Sequence, residues 1–110
     1  VFKTIVKNNG KYIMEFLEPS KTGFTVYTKS GCPNCSKVKL FFREKQIDFF
    51  VVDCDDYLIE NKPNFLLFIK SKSNTETVSF PIIFNDGFFV GGYNETREYV
   101  EKMVCFDDSF

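Results

Sequence analysis

Val26-Tyr27-Thr28-Lys29-Ser30-Gly31-Cys32-Pro33-Asn34-Cys35 passes from a β-prone run, through a short polar loop, into two cysteines three positions apart. Phe24–Thr28 is aromatic and β-branched, the composition that suits a pleated, half-buried surface. Lys29-Ser30-Gly31 is turn chemistry. Pro33 then opens a helix at the position where a missing N–H costs nothing. Cys35, Val38, Phe41 and Phe42 fall on one face of that helix, and Lys37, Lys39, Arg43 and Lys45 fall elsewhere. A strand that turns into a helix through Cys-x-x-Cys puts Cys32 at the helix start, where unpaired N–H groups and the helix dipole favour an anion.

Downstream, Asp48–Val52 reads as a second strand, and Asp53–Asp56 as a cap for the next segment. Pro63 sits where a helix can begin, Phe65–Lys72 continues it, and Ser71–Thr77 is a polar loop. Pro81–Phe84 and Phe88–Val90 are strands joined by the tight-turn signal Asn85-Asp86-Gly87, which predicts an antiparallel hairpin. Gly91-Gly92 ends the hairpin. Asn94 is the expected N-cap of a last helix running to about Cys105, with Glu95 in its first turn. The order β-α-β-α-β-β-α predicts an α/β domain with a parallel first pair and an antiparallel hairpin added at the end.

Upstream, Glu18-Pro19-Ser20-Lys21-Thr22-Gly23 is a loop. Asn9-Gly10 between apolar runs signals a type I′ hairpin, although Tyr12, Ile13, Phe16 and Leu17 also fit one helix face; the hairpin is the preferred reading. The expected division is a short N-terminal extension, 1–23, and a domain, 24–110.

The 110 residues suffice for one small core, and 44% hydrophobic content is that of a globular chain. A net charge of −1 gives no footprint for nucleic acid or an anionic membrane. No apolar run approaches transmembrane length, and no signal-peptide pattern stands out. Histidine is absent from the sequence, which excludes a His-based triad, a His general base and a His metal ligand. Fifteen phenylalanines with many Lys and Asn suggest AT-rich coding, as in some viral genomes, which says nothing of function.

The four cysteines, Cys32, Cys35, Cys54 and Cys105, include one close pair and look unlike a secreted disulfide framework. A redox pair in a cytoplasmic protein fits better. A thiol must ionise to attack a disulfide. The helix start, Pro33, Lys29 just upstream, and Lys37 and Lys39 along the helix all favour a Cys32 thiolate, with an expected pKa well below the free value of about 8.5. Cys35, one turn further on, is expected to be more buried. Two plainer readings are half a zinc site and a pair of buried apolar cysteines. The first lacks paired ligands. Neither accounts for a Cys-x-x-Cys at a strand-to-helix turn within a β-α-β pattern, so no metal site is expected.

In three ordered elements the sequence resembles the glutaredoxin family. Val26–Cys35 is similar to the family's strand and dithiol site. Ser79-Phe80-Pro81-Ile82-Ile83-Phe84 resembles its Thr-Val-Pro-x-hydrophobic-Phe element, and Val90-Gly91-Gly92-Tyr93-Asn94 its Gly-Gly element. The resemblance implies a thioredoxin-like fold, a four-stranded mixed sheet flanked by helices. It implies Cys32 as nucleophile, Cys35 as resolving thiol, and glutathione as co-substrate with no tightly bound cofactor. By the same resemblance, Pro81 is a cis proline and the backbone of Phe80 binds the cysteinyl part of glutathione. Gly92 allows close approach, the N–H groups of Tyr93 and Asn94 hold the γ-glutamyl carboxylate, and Lys29 meets the glycyl carboxylate.

The implied partners are glutathione and disulfide-containing or glutathionylated proteins, with no nucleic acid and no membrane, acting as a monomer. Three positions and one stretch depart from the family pattern. Asn34 stands where Tyr is commonest, Phe80 where Val is usual, and Asn94 where Asp is frequent. The stretch Asn74–Val78 lacks the usual cation, leaving the glycyl carboxylate to Lys29, with Lys70 or Lys72 as substitutes. A thioredoxin-type reductant is disfavoured by the absence of Trp before Cys32 and of Gly-Pro between the cysteines. A glutathione-bridged iron–sulfur carrier is disfavoured by Pro33 and the second cysteine. A degenerate interaction module is disfavoured by the intact pair. Cys54 and Cys105 lie outside the motif, and packing is the expected role of both.

Overall fold

In the computed structural model the chain runs β1 (Thr4–Asn8), β2 (Lys11–Glu15), β3 (Phe24–Thr28), α1 (Pro33–Glu44), β4 (Phe49–Asp53), α2 (Asp55–Ser73), β5 (Ile82–Asn85), β6 (Phe88–Gly91) and α3 (Tyr93–Asp108). The structure describes the backbone of residues 4–8 and 11–108 and the side chains of 16–103.

Four strands form one mixed sheet in the order β4-β3-β5-β6. β3 and β4 are parallel, with Thr28 opposite Asp53. β5 is antiparallel to β3, with Ile82 opposite Tyr27, and β6 is antiparallel to β5 with a bulge between Ile83 and Phe84. Asp86 and Gly87 both have positive φ, the geometry of a two-residue hairpin turn that Asp-Gly favours.

β3 is an inner strand, and all five of its residues are buried. Its side chains alternate between two cores, as the two-residue period of a strand requires. Phe24 and Val26 pack with Val38, Phe42, Ile83 and Val100 on the face covered by α1 and α3. Tyr27 packs with Tyr57, Phe65, Ile69, Ile82 and Phe84 on the face covered by α2. Each fully buried Phe contributes about 1.5–3 kcal/mol of apolar transfer, so the phenylalanine-rich composition is what fills both layers.

Residues ahead of β3 join the α2-side core. The Phe16 ring meets Tyr57 edge-on at 4.9 Å and also contacts Phe65 and Phe68. Tyr27 O–H donates to the Leu17 carbonyl at 2.6 Å, and Leu17 N–H donates to Tyr57 Oη at 3.2 Å. Further upstream β1 and β2 pair antiparallel, with Asn8 opposite Lys11, as the hairpin reading expected. The Asn9-Gly10 turn itself lies outside the described residues.

α2 starts within the expected Asp53–Asp56 cap, but Pro63 lies inside it and not at a helix start, and α3 starts earlier than expected. α2 begins at Asp55, ahead of Pro63, because Asp53 Oδ1 accepts the Asp55 N–H and two acids occupy the first turn. Pro63 has no N–H to give, and its ring crowds the preceding turn. The backbone accordingly leaves helical geometry at Asn61 (φ −154°, ψ 55°) and then resumes it. α3 begins at Tyr93, so Asn94 is inside the helix and is not its cap. Gly92 takes that place: its carbonyl accepts the Thr96 N–H at 3.0 Å, and its N–H donates to Glu95 Oε1 at 2.8 Å. No described helix is long and apolar enough to cross a membrane.

Candidate active site

The carboxyl ends of parallel strands β3 and β4 open on one edge of the sheet, where α/β folds place their ligands. The turn out of β3 passes through Gly31, whose φ of +73° is one that side chains other than glycine rarely adopt. Cys32 follows as the N-cap of α1, in extended geometry, with Pro33 in the first turn. Its Sγ accepts the Cys35 N–H at 3.1 Å. Helix start and sulfur thus meet as the sequence predicts. Cys32 and Cys35 are joined in a disulfide with their Cα atoms 5.3 Å apart. Cys35 is 2% exposed and packs under the helix, whereas Cys32 is half-buried, so Cys32 carries the sulfur an incoming molecule reaches first.

The loop before Cys32 is held from α2. Ser30 N–H donates to Asp55 Oδ1 at 2.8 Å, and Ser30 Oγ bonds Asp55 Oδ2. These two bonds hold the Asp55 carboxyl below the usual carboxylate range. Sequence reading missed this contact because the partners stand far apart in the chain.

Across from Cys32, the Phe80–Pro81 peptide is cis. Pro81 is buried, and Phe80 faces a groove of about 780 Å³. That groove is shared by Lys29, Cys32, Pro33 and Asn34 with Leu58, Lys62, Leu66 and Lys70 of α2. Lys29 Nζ lies 5.5 Å from the Phe80 ring centroid. A second cavity of about 490 Å³ brings Lys39 and Asp53 to the other side of Cys32.

Gly92 packs against the cis proline. A Cβ there would lie 3.6 Å from the Pro81 carbonyl oxygen, so the α3 start is close-packed on the cis-proline strand. Gly91 is the more constrained neighbour, with φ +136° and a notional Cβ only 2.7 Å from Glu95 Cβ. Tyr93 and Asn94 follow on the first turn of α3 and line neither cavity at Cys32. The structure therefore brings Lys29, Cys32 and Phe80 into one groove, with Cys35 bonded to Cys32, Pro81 following Phe80 through the cis peptide, and Gly92 against Pro81.

Of the two substitute lysines, Lys70 lines the groove, while Lys72 is ion-paired with Glu18. Leu58, Ile59, Lys62 and Leu66 were not foreseen, although their helical spacing with Lys70 is readable in the sequence. Cys54 is a free, fully buried thiol whose S–H donates to the Val52 carbonyl; burial pushes its pKa up. The Cys105 side chain lies outside the described residues. Among the described residues, no group of three or more Cys, Asp or Glu is placed to hold a metal ion.

An accessible sulfur at a helix N-terminus, paired with a buried one and facing a cis-proline strand, defines a thiol–disulfide oxidoreductase of thioredoxin-like fold. The glutaredoxin family model matches residues 24–90. The chain belongs to the glutaredoxin family. It is 29% identical to glutaredoxin 1 of Rickettsia bellii over 70 residues, 64% of this chain and 68% of that one. It is 36% identical to glutaredoxin 1 of Rickettsia conorii over 67 residues, 61% of each. Among solved structures it resembles glutaredoxin 1 from Francisella tularensis complexed with cacodylate, with TM-score 0.61 and 30% identity over 74% of this chain and 94% of that one. The buckwheat glutaredoxin–glutathione complex shares the fold, with TM-score 0.58 and 20% identity over 76% and 72%.

Proposed function

We propose that this protein is a glutathione-dependent reductase of protein disulfides and glutathione mixed disulfides, acting as a monomer in the cytoplasm. The observation that carries the reading is the pairing of a reachable Cys32 sulfur with an adjoining groove bounded by Phe80 and Lys29.

In the reduced protein the Cys32 thiolate attacks one sulfur of a substrate disulfide. A Cys32–substrate mixed disulfide forms, and the other substrate sulfur leaves as a thiolate. The Cys35 thiolate then attacks Cys32 Sγ, releases the second substrate thiolate, and leaves the Cys32–Cys35 disulfide. Two electrons have passed to the substrate. One glutathione thiolate reopens that disulfide at Cys32, forming a Cys32–glutathione mixed disulfide and freeing Cys35. A second attacks the glutathione sulfur, restores the Cys32 thiolate and leaves as glutathione disulfide. For a glutathionylated protein, Cys32 takes the glutathione directly; that last step then completes turnover, and Cys35 is dispensable.

In this reading the Phe80 backbone pairs with the cysteinyl unit of glutathione, beside Pro81 and Gly92. Tyr93 and Asn94 N–H groups receive the γ-glutamyl carboxylate, and Lys29 the glycyl carboxylate. The buckwheat relative, whose structure is of a glutathione complex, supports the choice of co-substrate.

The test is glutathione-dependent reduction of a glutathione mixed disulfide, coupled to NADPH through glutathione reductase. Wild type and Cys35→Ser are expected to turn over, and Cys32→Ser to fall to background. Absence of glutathione-dependent turnover in reduced wild type would overturn the reading.

A further inference from the structure

Leu58, Lys62, Leu66 and Lys70 recur at every fourth position of α2 and all line the groove that reaches Cys32. They form a stripe in which aliphatic and cationic side chains alternate. Leu58 stands before the break at Asn61 and Lys62, Leu66 and Lys70 after it, so both segments of α2 build this wall.

The sign of the wall is also distinctive. Lys29, Lys62 and Lys70 line the groove against one acid, Glu76, in a chain whose net charge is −1. Ile59 stands at the same groove and is 80% exposed, an apolar side chain that a ligand would cover.

We propose that this stripe of α2 is a docking surface for the polypeptide of the client. Its occupant is an extended segment carrying acidic and aliphatic side chains around the reacting cysteine. The acids meet Lys62 and Lys70, and the aliphatic groups meet Leu58, Ile59 and Leu66. The assignment rests on Cys32 performing disulfide exchange, and it adds the substrate class selected beyond glutathione itself. Charge complementarity of this kind acts mainly on encounter rate and partner choice.

The experiment is single-turnover reduction by the pre-reduced protein, with no glutathione present. Two peptides of equal length carry an internal disulfide, one flanked by Glu and Leu, the other by Lys and Leu; a low-molecular disulfide is the third substrate. Each rate is divided by that of dithiothreitol with the same substrate. Wild type is expected to favour the acidic peptide by about tenfold at low salt, with the advantage shrinking as salt rises. Lys62→Glu is expected to abolish most of that preference, and Ile59→Ser to slow both peptides by about two- to threefold. In both variants the loss should be much smaller on the low-molecular disulfide than on the peptides.

Equal rates for the two peptides in wild type would overturn the proposal. So would a Lys62→Glu loss that is as large on the low-molecular disulfide as on the acidic peptide. Failure of the glutathione reading reads out separately, as normal single-turnover rates without glutathione-coupled turnover. A reduced protein inert to all three substrates would overturn both.

Discussion

The two sulfurs of the motif differ in exposure although they are neighbours on one helical turn. Cys32 is half-buried at the helix N-terminus, and Cys35 lies beneath it. Cys54, by contrast, is enclosed, and burial raises its pKa. Alkylation of the reduced protein by iodoacetamide, read by mass spectrometry across pH, should separate them. Cys32 is expected to react with a midpoint well below the free value of about 8.5, because its thiolate is stabilised at the helix start. Cys54 should stay unmodified until the protein is unfolded. A Cys32 rate that climbs only through the ordinary thiol range would contradict this account. The motif cysteines were legible because chemistry and spacing coincide in one short stretch. Ser30–Asp55 was not, because a hydrogen bond between residues distant in sequence leaves no periodic trace.

Elements were read most securely where two independent signals agreed. Pro33 next to a cysteine pair marked α1, and Asp86-Gly87 marked the β5–β6 turn. The start of α3 was misplaced because Asn94 and Gly92 are both acceptable caps, and what decides between them is the reach of Glu95 back to the Gly92 N–H. Asp53–Asp56 marked the start of α2, whereas Pro63, read as a place where a helix begins, lies inside it after the break at Asn61. The glycine pair at the α3 start gives a direct test. Gly91→Ala forces a side chain into positive φ and against Glu95 Cβ, and should destabilise the protein by about 1–3 kcal/mol. Gly92→Ala needs no positive φ and meets chiefly the movable end of Glu95, so its cost should be clearly smaller. Urea denaturation of the two variants checks the order; equal losses would show that the cap geometry is misjudged.

At the scale of the molecule, the core extends beyond the stretch that the family pattern covers. The family match begins at residue 24, yet the Phe16 ring packs on the α2-side layer and the Leu17 backbone bonds Tyr27 and Tyr57. Replacing Phe16 by Ala removes ring contacts with Tyr57, Phe65 and Phe68 and should cost about 2 kcal/mol, somewhat under the value for a fully buried ring. Chemical denaturation measures it; a loss under about 0.5 kcal/mol would mark the segment as peripheral. This docking was illegible in advance because Phe16 and Leu17 fit a helix face as well as an extended run, and only the partner tyrosines decide.

The unequal burial of Cys32 and Cys35 also governs traffic. One sulfur serves as the doorway for every visitor, so the molecule that brings electrons and the molecule that takes them away queue for the same atom. On the proposed mechanism substrate and reductant act in alternation, and the kinetics are expected to take the double-displacement form in which abundance of one visitor delays the other. On that mechanism, the balance of thiols and disulfides around the protein thereby sets its pace.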